Sequence, residues 1–232
     1  MFPKKLRNVY HFGDALVQMK LIPDKSVDLV FTSCPDLSQT DFGKQVGDYK
    51  SFQREAVDEM SRIVKDTGFL IICQTDRKLD GKILANHIWY HRCATRNGLE
   101  LKDIKAVIRN PVPKGRATFQ SVEDAISKRD LYHIIYQNFL CFTRKGTFER
   151  KGEILRSVLV DNQHLIGNQH VWSQDFCKLI INAYSQEGDV VIDPFAGVGP
   201  VLKAAKDLKR IYFGCELAEH FYNTDFTRFK LK

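Results

Sequence analysis

The sequence predicts a doubly wound α/β fold whose sheet has seven, mostly parallel strands. Short apolar runs alternate along the chain with amphipathic stretches, which is the pattern of strands connected by helices. The runs VDLVFT, GFLIIC and DVVID are nearly continuous in apolar character, as in parallel strands that helices cover on both faces. With 232 residues and no internal repeat or long linker, the chain fits one domain, spanning 1–232, with a small basic insertion.

The apolar and amphipathic runs define the expected elements. The expected strands lie at 8–12, 27–32, 69–74, 101–108, 133–143, 190–193 and 211–215. The expected helices lie at about 49–65, 82–97, 173–185 and 200–208. Because ligands of such sheets bind beyond the carboxyl ends of the strands, functional residues are expected in the turns that follow the strands.

The charge balance indicates an acidic partner. The chain has 35 Lys and Arg against 28 Asp and Glu, and eleven basic but only five acidic residues lie between 101 and 151. A basic segment of this kind attracts phosphate backbones, although a solvated basic face has the same composition. No apolar run reaches the roughly 20 residues of a membrane span, and the N-terminus lacks the apolar core of a secretion signal.

Cysteine usage indicates the compartment. The six cysteines, at 34, 73, 93, 141, 177 and 215, include no C-x-x-C pair. Neither a structural zinc site nor a disulfide framework is therefore expected, and no metal. Most of the cysteines lie in apolar runs, which predicts buried free thiols. An intracellular, reducing compartment, the cytoplasm or the nucleus, fits this usage.

The C-terminal stretch GDVVIDPFAGVGPVLKAAKDLKRIYFGCEL has the order of a nucleoside-binding unit: strand, glycine loop, helix, strand and acid. Gly197 and Gly199 allow the backbone to approach a ligand closely, and the following helix N-terminus suits an anion. Glu216 stands where such units place an acid for ribose hydroxyls. The third glycine of the dinucleotide fingerprint is missing, and a plain tight turn is the alternative.

The run DPFAGVG at 193–199 resembles the D-P-F-x-G-x-G motif of the DNA amino-methyltransferases. This family transfers a methyl group from S-adenosyl-L-methionine (SAM) to N4 of cytosine or N6 of adenine. The chain also has the beta-type order, in which the catalytic motif precedes the cofactor motif. The resemblance extends over Gly13-Asp14, SVDLVFTSCPD, GFLIICQTDRK, IIYQNFLCFTRK and GNQHVWSQDF. It implies a Rossmann-like, SAM-dependent methyltransferase, and the stretches 110–130 and 145–165, which match least, are candidate DNA-recognition insertions.

The resemblance also implies the SAM-binding residues. Phe195, Gly197 and Gly199 would surround the methionine part, Glu216 would hold the ribose, and Asp14 would bond the adenine amino group. Without the family pattern, Asp14 would be an ordinary helix cap, and His170 and Trp172 would be packing residues at a helix entry. The full set of expected cofactor residues is Asp14, Thr32, Ser33, His170, Trp172, Ser173, Asp193, Phe195, Ala196, Gly197, Gly199 and Glu216.

The expected catalytic turn is Ser33-Cys34-Pro35-Asp36, where the family has S-P-P-Y or D-P-P-Y. A base amino nitrogen is a poor nucleophile because its lone pair is delocalised into the ring. The Ser33 hydroxyl and the Cys34 carbonyl would accept its hydrogens and orient the nitrogen for in-line attack on the methyl group. Pro35 would stiffen the turn. By the resemblance to the family, a serine in the first position implies a preference for cytosine N4 over adenine N6.

Asp36 departs from the family, which has an aromatic residue there to stack on the flipped base. Stacking of this kind is worth about 1–3 kcal/mol. Phe42 or Tyr49 would replace the aromatic, or Asp36 would bond the amino group or accept its proton. The alternative is a catalytically degenerate subunit that binds SAM or DNA and supports an active partner.

Other chemistries stay open with less support. Cys34 suggests a nucleophile for cytosine C5 methylation, but the order Cys-Pro, ahead of the cofactor motif, is the reverse of what that chemistry uses. RNA or protein amines are alternative substrates. A zinc deaminase is excluded because H-x-E and P-C-x-x-C are absent.

DNA is the expected partner, and its target base would be flipped out or presented on a single strand. The insertions are short, so a short target sequence, a homodimer or a partner subunit would have to compensate. The candidate phosphate contacts are Arg77, Lys78, Lys114, Arg116, Lys128, Arg129, Arg144 and Lys145.

Overall fold

The computed structural model describes residues 1–37, 46–79, 82–110, 136–144, 155–162, 164–166 and 169–223. Its strands, in chain order, are β1 (Val9–Phe12), β2 (Val27–Thr32), β3 (Val64–Gln74), β4 (Arg77–Leu79), β5 (Lys82–Leu84), β6 (Leu99–Asn110), β7 (Tyr136–Arg144), β8 (Val158–Asn162), β9 (His164–Ile166), β10 (Gln169–Val171), β11 (Val190–Asp193) and β12 (Ile211–Glu216). Its helices are a 3-10 turn (Lys4–Leu6), α1 (Ala15–Met19), α2 (Val46–Ile63), α3 (Asn86–Arg96), α4 (Gln174–Tyr184), α5 (Pro200–Asp207) and α6 (Glu219–Tyr222).

Within these residues the main sheet has eight strands in the order β1-β12-β11-β2-β3-β7-β6-β8. β7 runs antiparallel to both of its neighbours, and the other pairs are parallel. The two short hairpins, β4 with β5 and β9 with β10, stand outside this sheet. The predicted fold class, a doubly wound and mostly parallel α/β sheet, is confirmed.

The two faces of the sheet explain the nearly continuous apolar runs. Every residue of β2 is buried, because successive side chains enter different cores. Val30 packs with residues of α1, α2 and α3 on one face. Leu29 and Phe31 pack with residues of α4 and α5 on the other. The parallel pairing of β11 with both β2 and β12 brings the carboxyl ends of these three strands next to one another at one end of the sheet.

The eighth strand, β8, lies in the stretch 145–165, which was expected to be an insertion. It pairs in parallel with β6, from Ala106 beside Val158 to Asn110 beside Asn162. As an edge strand it alternates, with Val158 and Val160 exposed and Leu159 buried. Five alternating residues between polar stretches carry little apolar signal, so the sequence did not predict it.

The third helix also begins later than expected, at Asn86 and not near 82. The preceding residues pair as the β4–β5 hairpin. The start of the helix is fixed from the end of β3: Asp76 accepts the His87 amide at 3.2 Å, and the Asn86 side chain donates to the Thr75 carbonyl at 3.1 Å. Long-range capping of this kind overrides the local helix pattern.

All six cysteines are buried and free, as their apolar surroundings predicted. Among the described helices none has the length and apolar character needed to cross a membrane. The stretch 111–135, with most of the expected recognition insertion 110–130, lies outside the described residues, as does 145–154.

Candidate functional site

A cavity of about 940 Å³ opens at the carboxyl ends of β2, β11 and β12. It is bounded by α1, the first turns of α2 and the loop that follows β11. Eight of the expected cofactor residues line it: Asp14, Ser33, Trp172, Asp193, Phe195, Ala196, Gly197 and Glu216. Thr32, Ser173 and Gly199 lie behind this lining, and the side chain of His170 is outside the described set.

The loop after β11 takes its shape from two glycines. Gly197 and Gly199 have φ angles of +55° and +81°, in the left-handed region that favours glycine. Gly199 is the N-cap of α5, and its amide donates to the Ala196 carbonyl at 2.8 Å. A Cβ added at Gly197 would meet no atom within 4 Å. The backbone at Gly197 is therefore open to the cavity.

Glu216 ties this loop to the end of β12. Its carboxylate accepts the Gly197 amide at 2.9 Å through one oxygen and the Ala218 amide at 2.7 Å through the other. From the far edge strand, the Tyr10 hydroxyl donates to the Gly197 carbonyl. Sequence reasoning missed Tyr10, because β1 is brought beside β12 from the other end of the chain.

Asp193 is a buried acid at the base of the cavity. Its Oδ1 accepts the Thr32 hydroxyl at 2.6 Å and the Phe195 amide at 3.1 Å. Burial raises the pKa of this carboxyl to about 7, against the lowering effect of those two hydrogen bonds. Thr32 thus acts through Asp193 and does not face the cavity itself.

The raised pKa of Asp193 makes the stability of the protein pH-dependent. The unfolded carboxyl titrates near 3.8 and the folded one near 7, so between these values the folded state binds more protons. The contribution of Asp193 to the free energy of unfolding therefore falls as the pH rises from about 4 to 7, and stays low above. Asp193→Asn keeps the acceptor oxygen but removes the titration. We expect the Tm of this variant, relative to the unaltered protein, to rise through that window and then level off; a difference independent of pH would contradict the assignment.

Three expected cofactor residues also hold the local structure together. The Trp172 ring stacks on Phe31 at 4.9 Å between centroids, and its Nε1 donates to Gln137 at 2.9 Å. Ser173 caps α4 by accepting the Phe176 amide at 3.1 Å, which occupies its hydroxyl behind the lining. Asp14 caps α1 in the same way. Packing and capping are thus real roles of these residues, and Trp172 and Asp14 line the cavity in addition.

The expected catalytic turn follows β2 directly, and Ser33 and Pro35 reach the cavity wall. The Cys34 carbonyl accepts Gln74 Nε2 at 3.0 Å. Burial raises the pKa of the Cys34 thiol to about 12, so it is neutral near pH 7. A neutral, buried thiol is a poor nucleophile, which argues against the cysteine mechanism for C5 methylation.

The aromatic residues near the turn are arranged differently from the expectation. Tyr49 is fully buried and donates its hydroxyl to the Pro35 carbonyl at 3.1 Å, so it supports the turn from within. Phe42 lies outside the described residues. Phe52 of α2 lines the cavity and meets Phe195 edge to face, with ring centroids 5.8 Å apart. Sequence reasoning missed Phe52; the one available signal was its place on the first turns of a helix that follows the catalytic turn.

Arg144 does not suit the role of phosphate contact that the sequence suggested. It ends the antiparallel strand β7, beside the amino ends of the parallel strands and therefore away from the cavity. Its guanidinium donates at 2.7 Å to each of two backbone carbonyls, of Ser61 and Asn97, and lies 3.0 Å from Asp66. These contacts tie α2, α3 and β7 together.

Arg77, another expected phosphate contact, lies beside the catalytic turn. It begins β4 and pairs with Asp36 at 3.0 Å. Lys78 follows it in β4, with a side chain that is not described. The remaining candidates, Lys114, Arg116, Lys128, Arg129 and Lys145, lie outside the described ranges.

Comparison with known proteins bears on this site. A family model for DNA methylases, N6_N4_Mtase, matches residues 149–226, which include the loop after β11 and Glu216. The type II methyltransferase M.BglII of Bacillus subtilis is 22% identical over 95% of this chain and 68% of its own length. M.HinfI of Haemophilus influenzae is 26% identical over 90% of this chain and 64% of its own length. The chain thus spans about two thirds of these relatives.

Solved structures share the fold. A putative DNA modification methylase from Thermus thermophilus superposes with a TM-score of 0.72 at 21% identity, covering 95% of this chain and 93% of that one. The PvuII DNA methyltransferase, described as cytosine-N4-specific, superposes with a TM-score of 0.76 at 16% identity, covering 96% and 86%. At these identities the likeness concerns the fold. Taken with the fold and the glycine loop, the family model over residues 149–226 and the two methyltransferase relatives make this chain similar to the N6/N4 DNA methylases.

Proposed function

We propose that the protein transfers the methyl group of SAM to an exocyclic amino group of a DNA base, with cytosine N4 favoured over adenine N6. One observation carries the proposal: Ser33 of the catalytic turn and the glycine loop at 193–199 line the same cavity. They do so because β2 and β11 are adjacent parallel strands, with Leu29 beside Val191. An acceptor of amino hydrogens and a nucleoside cradle therefore meet in one site.

The residues present fit SAM. The open backbone at Gly197 leaves room for a ligand that a Cβ would fill. Glu216 uses one lone pair of each oxygen on a backbone amide, and a carboxylate has about four acceptor sites, so two ribose hydroxyls are still accommodated. Phe195 and Phe52 supply an apolar wall. The Thermus methylase has been crystallised in complex with SAM, which supports the same cofactor here.

When bound, SAM supplies an electrophilic methyl group on a sulfonium that leaves readily. The protein has to position the amino group of the base for the reaction. The Ser33 hydroxyl accepts one amino hydrogen of the base, and the Cys34 carbonyl accepts the other through the lone pair that Gln74 does not use. The nitrogen lone pair would thereby be freed from the ring for the methyl group, the sulfonium would leave as a neutral thioether, and the amino proton that is lost would pass to water. The preference for cytosine rests on serine in the first position of the turn.

The test is a methyl-transfer assay with methyl-labelled SAM. Mixed-sequence duplex DNA, single-stranded DNA and RNA of the same sequence are offered separately, then digested to nucleosides and analysed by mass spectrometry. We expect label in N4-methylcytosine from DNA. Label in N6-methyladenine would overturn the base preference, and label from RNA alone would overturn the substrate class. SAM binding without transfer to any of them would identify a degenerate subunit.

Glu216→Gln is expected to weaken SAM binding about tenfold, which corresponds to about 1.4 kcal/mol. The amide loses the negative charge and one acceptor, so the ribose hydroxyls and the amides of Gly197 and Ala218 compete for fewer lone pairs. Isothermal titration calorimetry with SAM measures the effect. Glu219→Gln, an exposed acid three residues along on α6, is the matched control and should bind SAM normally. Equal affinities for both variants would remove Glu216 from the proposed site.

A further inference from the structure

In the described part of the chain, three successive residues of the catalytic turn are held from three different elements. Gln74, at the end of β3, donates to the Cys34 carbonyl at 3.0 Å. Tyr49, in the first turn of α2, donates to the Pro35 carbonyl at 3.1 Å. The third contact involves the side chain of Asp36, the residue that departs from the family motif.

Asp36 forms an ion pair with Arg77 across the turn. One of its carboxylate oxygens lies 3.0 Å from Arg77 Nη2, and the two side chains are only 19% and 24% exposed. Tyr49 lies next to both: burial raises the pKa of its hydroxyl, the Asp36 charge raises that pKa further, and the Arg77 charge lowers it. The pair is thus part of the packed support of the turn, and is not a mobile surface contact.

The position of this ion pair next to the strand that carries the turn indicates what the pair does. Arg77 begins β4, three residues after the end of β3, and β3 is the sheet neighbour of β2, which carries the turn. A guanidinium anchored there holds the Asp36 side chain through the attraction of opposite charges. If one partner is removed, the other loses this ion pair at a partly buried position, so the turn is expected to shift.

We propose that Asp36 and Arg77 are positioning residues for methyl transfer, and that their ion pair holds the Ser33 hydroxyl and the Cys34 carbonyl in the orientation that the reaction needs. This inference rests on the proposed function. It assigns Arg77 to the catalytic turn and not to a DNA phosphate. It also gives Asp36 a role in an active turn, which is distinct from the base stacking of the aromatic residue that the family motif has at this position.

The test uses the single variants Asp36→Asn and Arg77→Met and the charge swap Asp36→Arg/Arg77→Asp. We expect each single variant to lower kcat about thirtyfold while the Kd for SAM stays unchanged. The swap restores at least a third of the activity, and Arg77→Lys, which keeps the charge, loses less than Arg77→Met. Lys82→Met, which removes an exposed cation from the partner strand β5, is the matched control and is expected to have the unaltered kcat.

A second measurement does not depend on turnover. Amide hydrogen exchange of the segment 33–37, followed by mass spectrometry on the DNA-free protein, is expected to speed up in both single variants and to slow again in the swap. Unchanged exchange, together with a higher KM for DNA and a smaller salt dependence in Arg77→Met, would overturn the proposal and make Arg77 a phosphate contact. If the unaltered protein methylates nothing but the exchange pattern holds, the ion pair stands as the support of the turn and the proposed function is the part that fails.

Discussion

Ser33→Ala is expected to lower kcat for DNA methylation by a factor of about 100 to 1000, the range seen when one preorganised hydrogen-bonding group is removed from an active site. Ser33 lines the cavity directly after β2, where its hydroxyl is the side-chain acceptor of the turn. Alanine leaves the Cys34 carbonyl in place, so the amino group loses one of its two acceptors and its lone pair stays delocalised. Because the hydroxyl acts on the base, the Kd for SAM should change less than twofold. Single-turnover methyl transfer and calorimetry measure the two quantities.

The matched control for this experiment is Ser51→Ala. Ser51 also lines the cavity, but it lies on α2 and not on the catalytic turn. We expect Ser51→Ala to keep kcat within a factor of about three, since exposed serine substitutions away from special contacts usually have small effects. Equal losses in the two variants would mean that the Ser33 hydroxyl has no special place in the reaction.

The parts of the site that could be predicted from sequence are those set by contiguous residues. The order strand, glycine loop, helix, strand and acid placed Gly197 and Glu216 correctly at one cavity. The catalytic turn could be placed beside them because carboxyl ends of neighbouring parallel strands share an edge. Both inferences need only local patterns and one general rule about sheets.

The parts that could not be predicted depend on tertiary packing. Tyr10 reaches Gly197 across 187 positions of the chain, and Gln74 reaches Cys34 across 40. In the sequence, Arg144 has the features of a surface cation. The antiparallel direction of β7 places it at the end of the sheet opposite the cavity, beside Asp66. A basic residue in the sequence does not reveal which carbonyls or carboxylates its side chain will meet, so the contacts of Arg144 could not be predicted from sequence.

Asp36 shows how a departure from a family motif acquires a physical explanation. In the sequence, Asp36 stands where the family has an aromatic residue, and the loss of that residue alone favours a degenerate subunit. In the structure it has a cation at 3.0 Å, supplied by the stretch QTDRK that follows a central strand. The ion pair joins Asp36 and Arg77, two residues that no single sequence motif contains together. Its presence favours an active turn.

Gly197→Ala is expected to weaken SAM binding about thirtyfold, which corresponds to roughly 2 kcal/mol. Gly197 lines the cavity, and its added Cβ would occupy open space at the wall where the cofactor is proposed to approach the backbone. The substitution also strains the backbone, because φ is +55° there, at a cost of about 1–2 kcal/mol in stability. Calorimetry measures the first effect and thermal unfolding the second.

Gly188→Ala separates these two effects. Gly188 has a φ of +85° and likewise no atom within 4 Å of an added Cβ, but it precedes β11 and is absent from the cavity lining among the described residues. Both variants should therefore lose a similar amount of stability, while Gly188→Ala keeps its affinity for SAM. If the two lose affinity equally, the loss comes from strain transmitted through β11 and the loop does not contact the cofactor. If only Gly197→Ala loses affinity for SAM, the backbone of the glycine loop lies against SAM. This is expected of a nucleoside-binding loop that contacts its ligand through the main chain.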